Sequence, residues 1–460
     1  MDKRAPLQTG ETTILGHPRG LAFLFGTEMW ERFSYYGMRS LLVLYMVKYL
    51  LLPGHSEQVI GLASLKGGLE RVFGPLEMQP FASQLYGLYG SLVYLAPVLG
   101  GLLADRVLGQ RRMVIIGASL MAAGHFMMAF EPLLLFALLT LILGNGAFKP
   151  NISTQVGGLY AEGDPRRDRA YSIFYVGINI GAFFAPLVCG TLGERVGWHW
   201  GFGAAGVGML IGLAIYLRGV RDLPPDELTR AHAAGAKRAP ATGSGWRAVF
   251  VLLILFIPNV LFWAAYEQQG NTITLWADNY TDRTINLLFW RGEIPVTWFQ
   301  AVNPFMIFAF TPLVVDFWAW QAKRGAEPSS VVKMGIGCLG VMLSYLLMAA
   351  AAVQAGEAGK ISWLWLLAFF AVVTAGELYL SPIGLSFVSK IAPRNLLSLL
   401  MGVWLATSFF GNFLAGVLGS YWSSMDKPAF FLMIAAVAGV AGFAILLLNV
   451  PLRRITSARL

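Results

Sequence analysis

The chain has 460 residues and a formal net charge of +9; 56% of it is hydrophobic, only 13% is charged, and its mean hydropathy is +0.61. That balance excludes an ordinary soluble domain, and the loops of a membrane protein account for the positive charge without any nucleic-acid partner. Stretches free of Asp, Glu, Lys and Arg, such as 78–104, 170–193, 294–315, 334–356, 395–425 and 428–452, can each supply the roughly 20 helical residues that cross a hydrocarbon core.

In chain order, helices are predicted near 20–50, 80–105, 112–130, 133–157, 170–193, 200–218, 248–269, 297–321, 331–354, 361–390, 396–423 and 428–451. The fold class is therefore all-α, a polytopic membrane protein of twelve spans. The first 20 residues are polar and the apolar run from Leu21 reaches full span length, which reads as an anchor and not as a cleaved leader. Segment 56–79 reads as a short amphipathic helix outside the membrane. The polar, Pro- and Ala-containing stretch after the sixth helix divides the chain into a tail (1–19), a six-helix bundle (20–218), a linker (219–247), a second bundle (248–451) and a tail (452–460). The 52 Gly and 22 Pro do not oppose this, because membrane helices use both. Cys189 and Cys338 fall inside spans, as small core residues and not a disulfide framework.

Orientation follows from the basic residues. With the amino terminus in the cytoplasm, 23 of the 34 Lys and Arg fall on the cytoplasmic side, 8 on the opposite side, and 3 (Arg32, Arg39, Lys149) within spans. Both termini are thus expected in the cytoplasm. GGLLADRVLGQRR (100–112) after helix 2 and PLVVDFWAWQAKRG (312–325) after helix 8 echo each other, as equivalent loops of a duplicated bundle should. The first resembles the loop signature of the major facilitator superfamily, in which Asp105, Arg106, Arg111 and Arg112 would lock cytoplasmic helix ends.

An ionisable group at bilayer depth costs about 2.5–3.5 kcal/mol even on lenient scales and demands a reason. Seven are expected there: Glu28, Glu31, Arg32, Arg39, Lys149, Glu267 and Glu377. Four acids against three bases suit a water-lined cavity with switchable ion pairs. At about 100° per residue, Glu28, Glu31, Arg32, Tyr35, Tyr36 and Arg39 share a sector of roughly 140°, opposite Trp30, Phe33 and Gly37.

These motifs resemble those of the proton-dependent oligopeptide transporter (POT/PTR) branch of the major facilitator superfamily. GTEMWERFSYYGMRS (26–40) matches its ExxERFxYYG signature, FYVGINIGAFFAP (174–186) a second, and GNGAFKPN, FWAAYEQQG, WFQAVNP and GELYLSPIGLSFVSKIAP follow in order. The resemblance covers about residues 17–450 and implies a proton-coupled symporter of di- and tripeptides, working by alternating access in the bacterial inner membrane as a monomer, with no cofactor. By the same resemblance Arg32 and Lys149, helped by Arg39, should take the peptide carboxylate, and Glu377 with Asn179 and Asn303 the amino terminus. Tyr35, Tyr36, Tyr94, Trp263 and Trp404 should line side-chain pockets. Glu28, Glu31 and Glu267 are the coupling candidates, with Arg39–Glu267 and Lys149–Glu377 as gate pairs.

The chain departs from the wider family in two ways: helix 2 lacks the histidine some members use, and the linker is too short and polar for the two extra helices of others. His125 is expected to be a hydrogen-bonded packing residue. An alternative keeps the fold and proton coupling and changes the cargo to nitrate or another small anion, which the intact GTEMWERF face and Glu377 disfavour, or to a peptide-like compound. A membrane-embedded enzyme would need a nucleophile with a base, or a metal set, and neither is legible.

Overall fold

The computed structural model describes residues 13–14, 16–161, 164, 166–224, 244–287, 290–356, 359–391 and 397–456. Much of the expected linker (225–243), most of the amino-terminal tail and the end of the carboxy-terminal tail lie outside these.

The described chain is almost entirely helical. Its helices are α1 (Arg19–Tyr45), α2 (Leu62–Phe73), α3 (Met78–Leu103), α4 (Gln110–Met127), α5 (Leu134–Gly158), α6 (Arg166–Ala185), α7 (Thr191–Arg195), α8 (Trp198–Gly219), α9 (Ser244–Tyr266), α10 (Thr272–Asn279), α11 (Phe299–Lys323), α12 (Ser330–Ala355), α13 (Leu364–Ile391), α14 (Leu397–Gly419) and α15 (Lys427–Thr456). Among the described residues ten segments are long and apolar enough to cross a membrane, each containing one of α3, α5, α6, α8, α9 and α11–α15. Two further long helices fall outside that set: α1, of 27 residues, carries Glu28, Glu31, Arg32 and Arg39, and α4 has 18 residues. The amphipathic α2 forms where the sequence suggested a helix outside the membrane.

By internal contacts the chain divides into two compact units. One comprises Met1–Leu41, Gly54–Leu62 and Leu95–Ala236; the other comprises Leu42–Pro53, Ala63–Tyr94 and Lys237–Leu460.

In the first unit glycines let helices meet backbone to backbone, as suits a solvent that offers no hydrophobic drive between them. A Cβ on Gly100 of α3 would run into the Gly146 carbonyl of α5, and one on Gly117 of α4 would stand 2.7 Å from the Gly144 carbonyl. Gly181 of α6 admits α1 in the same way: its Cβ would collide with the Met29 carbonyl and lie 2.9 Å from the Phe33 nitrogen. Gly181→Val is therefore expected to cost about 1–3 kcal/mol by overpacking. Thermal unfolding in detergent should show a lowered midpoint and a reduced folded yield. Pro186, which has no N–H for the Ala182 carbonyl, opens the end of α6 into a π turn at Pro186–Gly190 before α7.

At one corner of this unit His17 Nδ1 lies 2.8 Å from the Tyr160 hydroxyl, and Arg166 reaches the Gly16 carbonyl at 3.2 Å while pairing with Asp164. Partial burial and the nearby Arg166 and Arg169 push His17 below its ordinary range, so near neutral pH its ring is uncharged. Next to it, Arg111 donates to the Leu223 and Pro224 carbonyls. One arginine of the loop signature thus holds the first residues of the expected linker (219–247).

The second unit contains a break in a span. Helix α9 ends at Tyr266, Glu267–Gly270 tightens to a 3₁₀ turn, and α10 resumes at Thr272, all within the apolar segment Val249–Asn279. Elsewhere in this unit Gly337 of α12 and Gly376 of α13 face each other, each Cβ position 2.7 Å from the other's carbonyl. Short strands Thr284–Leu287 and Trp290–Glu293 pair antiparallel in the connection to α11.

Candidate functional site

In the first unit the charged face of α1 folds on itself. Arg32 Nε contacts Glu28 Oε1 at 3.1 Å and Glu31 Oε2 at 2.5 Å, and all three side chains are at most 5% exposed. Asn145 of α5 donates to Glu31 Oε1 at 3.4 Å. Lys149, one turn further along α5, acts on both carboxylates through its field. The Tyr35 ring lies 5.4 Å from the Arg32 guanidinium carbon and 6.0 Å from that of Arg39, and Tyr36 meets Tyr35 edge-on at 5.2 Å.

Two buried polar atoms of this cluster, Arg32 Nη2 and Glu28 Oε2, have no hydrogen-bond partner among the described residues. A buried guanidinium nitrogen without a partner has hydrogen-bonding capacity that a carboxylate can use. Behind α1 the surface is apolar: Met29, Trp30 and Phe33 line a groove of about 790 Å³ with residues of α6 and α8. The helix is two-faced, as its spacing predicted. Asn179 of α6 is buried, with its amide donating to the Tyr175 carbonyl of its own helix at 3.0 Å.

In the second unit Glu377 of α13 accepts from Asn303 of α11 at 2.9 Å, and the same amide nitrogen lies 2.9 Å from Thr374 Oγ1. The Tyr266 hydroxyl reaches Asn303 Oδ1 at 3.5 Å, and Trp263 stands edge-on to Tyr266 at 5.5 Å. Glu267, 5% exposed, opens the 3₁₀ turn and receives Asn412 of α14 at 3.4 Å. Trp404 is buried on α14, where only a glycine at position 384 leaves room for its ring; Tyr94 is half-buried on α3.

Within each unit, then, the residues singled out by sequence converge: Glu28, Glu31, Arg32, Tyr35, Tyr36 and Arg39 with α5 in one, Glu377, Asn303 and Trp263 around Tyr266 in the other. Asn145, Tyr266, Thr374 and Asn412 join them without having been singled out. Asn145 lies one helical turn before Lys149, so the GNGAFKPN motif held a signal that a search for charges alone passes over.

His125 corrects one expectation. It is fully buried on α4, but neither ring nitrogen has a hydrogen-bond partner among the described residues. The residues about one turn away along the chain, Met121, Ala122 and Met128, are apolar and supply no side-chain oxygen or nitrogen for it. Cys189 and Cys338 are buried and free. Among the described residues no group of His, Cys, Asp or Glu could hold a metal ion.

A model of the POT family matches residues 111–227 and 234–433. The chain is 34% identical to the peptide transporter YePEPT of Yersinia enterocolitica, covering 97% of this chain and 96% of that one. It is 31% identical to a di-/tripeptide transporter of Lactococcus lactis, with 98% of each covered. Its fold superposes on the crystal structure of peptide transporter POT in complex with sulfate with a TM-score of 0.82, at 30% identity and 97% coverage of both chains. A POT family transporter in complex with 5-aminolevulinic acid gives 0.81 at 28% identity, covering 96% and 98%.

Proposed function

The chain belongs to the POT family, and from that premise we propose that it is a symporter that imports di- and tripeptides with protons by alternating access. The family is one of transporters, and the protein is a multi-pass plasma-membrane protein. The architecture assigned here is twelve spans, α1 and α4 completing the ten apolar ones, in two six-helix bundles (20–218 and 248–451) joined by a cytoplasmic linker (219–247), with both termini cytoplasmic and the monomer as the working unit.

The observation that carries the reading is the buried Glu28–Glu31–Arg32 cluster, in which Arg32 Nη2 has no hydrogen-bond partner among the described residues. A zwitterionic peptide needs a cationic receiver for one end and an anionic one for the other. Arg32 and Lys149, helped by Arg39, take the carboxylate, while Glu377 with Asn303 and Asn179 takes the ammonium. Aromatic faces at Tyr35, Tyr36, Tyr94, Trp263 and Trp404 accept varied side chains. Glu28 and Glu31 tune Arg32, Glu267 carries the coupling proton, and Arg39–Glu267 and Lys149–Glu377 are the pairs that open and close.

The test is uptake of labelled dialanine into proteoliposomes under an inward proton gradient. Accumulation that an uncoupler abolishes, and that unlabelled dialanine but not nitrate suppresses, is the expected result. Glu377→Gln should weaken competition by free dipeptides at least tenfold and leave N-acetylated ones unchanged. Competition by nitrate alone would establish the anion carrier instead.

A further inference from the structure

Asn412 of α14 stands between the Glu267 carboxylate and the glycine face of α3, all three in the second unit. Its Nδ2 lies 2.9 Å from the Ser408 carbonyl and 3.4 Å from Glu267 Oε1, and the residue is 1% exposed. Its Oδ1 is buried with no hydrogen-bond partner among the described residues. That oxygen is pressed against Gly90 so closely that any Cβ there would strike it, and Asn412 Cγ would lie 3.1 Å from that Cβ. One turn earlier a Cβ on Gly87 would meet the Asn412 backbone carbonyl at 2.7 Å and the Gly416 nitrogen at 2.7 Å.

A buried amide oxygen without a donor is costly, and an apolar side chain of similar size would avoid the cost. We propose that Asn412 is a positioning residue for proton coupling, an amide whose idle oxygen is filled when Glu267 takes up its proton. The proposal rests on the reading of Glu267 as the coupling carboxylate and adds the partner that distinguishes its two states.

An ionised carboxylate only accepts, so it engages the amide N–H and leaves Oδ1 empty, which is the arrangement observed. A protonated carboxyl carries an O–H donor as well. A primary amide presents donor and acceptor side by side, so acid and amide close into a two-bond ring, O–H to Oδ1 and Nδ2–H to the carboxyl oxygen. The proton stays on Glu267 throughout. Drawing Oδ1 toward Glu267 takes it off Gly90 and loosens α14 from α3.

Tyr345 of α12 and Glu377 of α13 are titratable groups in electrostatic contact with Glu267, and Arg39 is its proposed gate partner. Tyr345 donates to the Ala265 carbonyl at 2.8 Å and Glu377 is held by Asn303. Asn412 thus offers Glu267 a donor and an acceptor together.

The experiment compares wild type, Asn412→Leu and Gly90→Ala by gradient-driven dialanine uptake across external pH and by pH-titrated infrared difference spectra. The protonated carboxyl band is assigned by its loss in Glu267→Gln. In Asn412→Leu the band should move to the higher frequency of an unbonded acid. The uptake midpoint should move to acid pH by about half a unit or more, because the neutral form loses two bonds and the ionised form one long one. Gly90→Ala pushes Oδ1 toward Glu267 and should move the midpoint the other way, which keeps the test alive if Asn412→Leu does not fold. A band and midpoint unchanged in folded Asn412→Leu, or no alkaline shift in Gly90→Ala, overturns the proposal while leaving symport standing. Wild type without gradient-driven uptake overturns the symport reading, and the infrared band then still decides for Asn412.

Discussion

Arg32→Leu is expected to bring gradient-driven dipeptide uptake down by two to three orders of magnitude, to the leak of empty liposomes. The guanidinium is the charge that offsets both Glu28 and Glu31 at a site almost wholly removed from water. Removing one partner of a buried ion pair costs about 3–5 kcal/mol, and about 1.4 kcal/mol is a factor of ten. The substrate carboxylate would lose its receiver at the same time. Two losses are therefore mixed in this variant, and a second one separates them. Adding Glu31→Gln to Arg32→Leu removes one orphaned carboxylate and should raise the unfolding midpoint toward that of the parent without restoring uptake. Arg32→Lys keeps a charge but not the fork that engages two carboxylates and a ligand together; it should fold well and transport poorly. Uptake by Arg32→Leu within threefold of the parent would remove Arg32 from the binding site.

The second large effect is uncoupling. One proton moving through 100 mV supplies about 2.3 kcal/mol, which at about 1.4 kcal/mol per decade supports roughly a fifty-fold peptide gradient. Glu267→Gln cannot bind that proton. Accumulation should collapse from this ratio to about one, while counterflow exchange of labelled against unlabelled dipeptide continues, because exchange needs no net proton movement. Proton-driven accumulation persisting in the variant, with counterflow intact, would place the coupling group elsewhere, and Glu28 and Glu31 would be the carboxylates to test next.

Most of the fold was legible because a membrane allows so few backbone solutions that hydropathy alone finds the helices. The predicted 112–130 and 133–157 are α4 and α5 to within a few residues. Legibility failed where the helix deforms without ending. The sequence suggested a span closing near 269, whereas the chain tightens at Glu267–Gly270 and continues helical to Asn279. A Gly-Asn pair after a run of polar side chains reads as a terminus, and only tertiary support lets the helix restart. The paired strands around Arg291 also went unforeseen, since four-residue strands in a polar connection carry no clear period.

The site was half legible, for a reason of cost. An Arg or Glu inside a span is so unfavourable that its presence announces a purpose, and on α1 Glu28, Glu31 and Arg32 do meet one another. Uncharged polar residues announce nothing: Asn145 and Thr374 could equally have bonded only to their own helices, as Asn179 does, and Asn412 bonds to its own helix as well as to Glu267. The same charges that mark α1 as functional also keep it outside the apolar set, so composition that reveals the site partly conceals the span.

Gly100 against Gly146 has a mechanical corollary. Helices usually lock because the ridges of one settle into the grooves of the other, and at this crossing the side chain nearest Gly146 is only the methyl of Ala96. The surfaces that touch are mostly main chain, with low ridges along the axis. Such a crossing behaves as a bearing: α3 can slip or rock against α5 while their spacing is held fixed, and a single methyl group placed there would seize it.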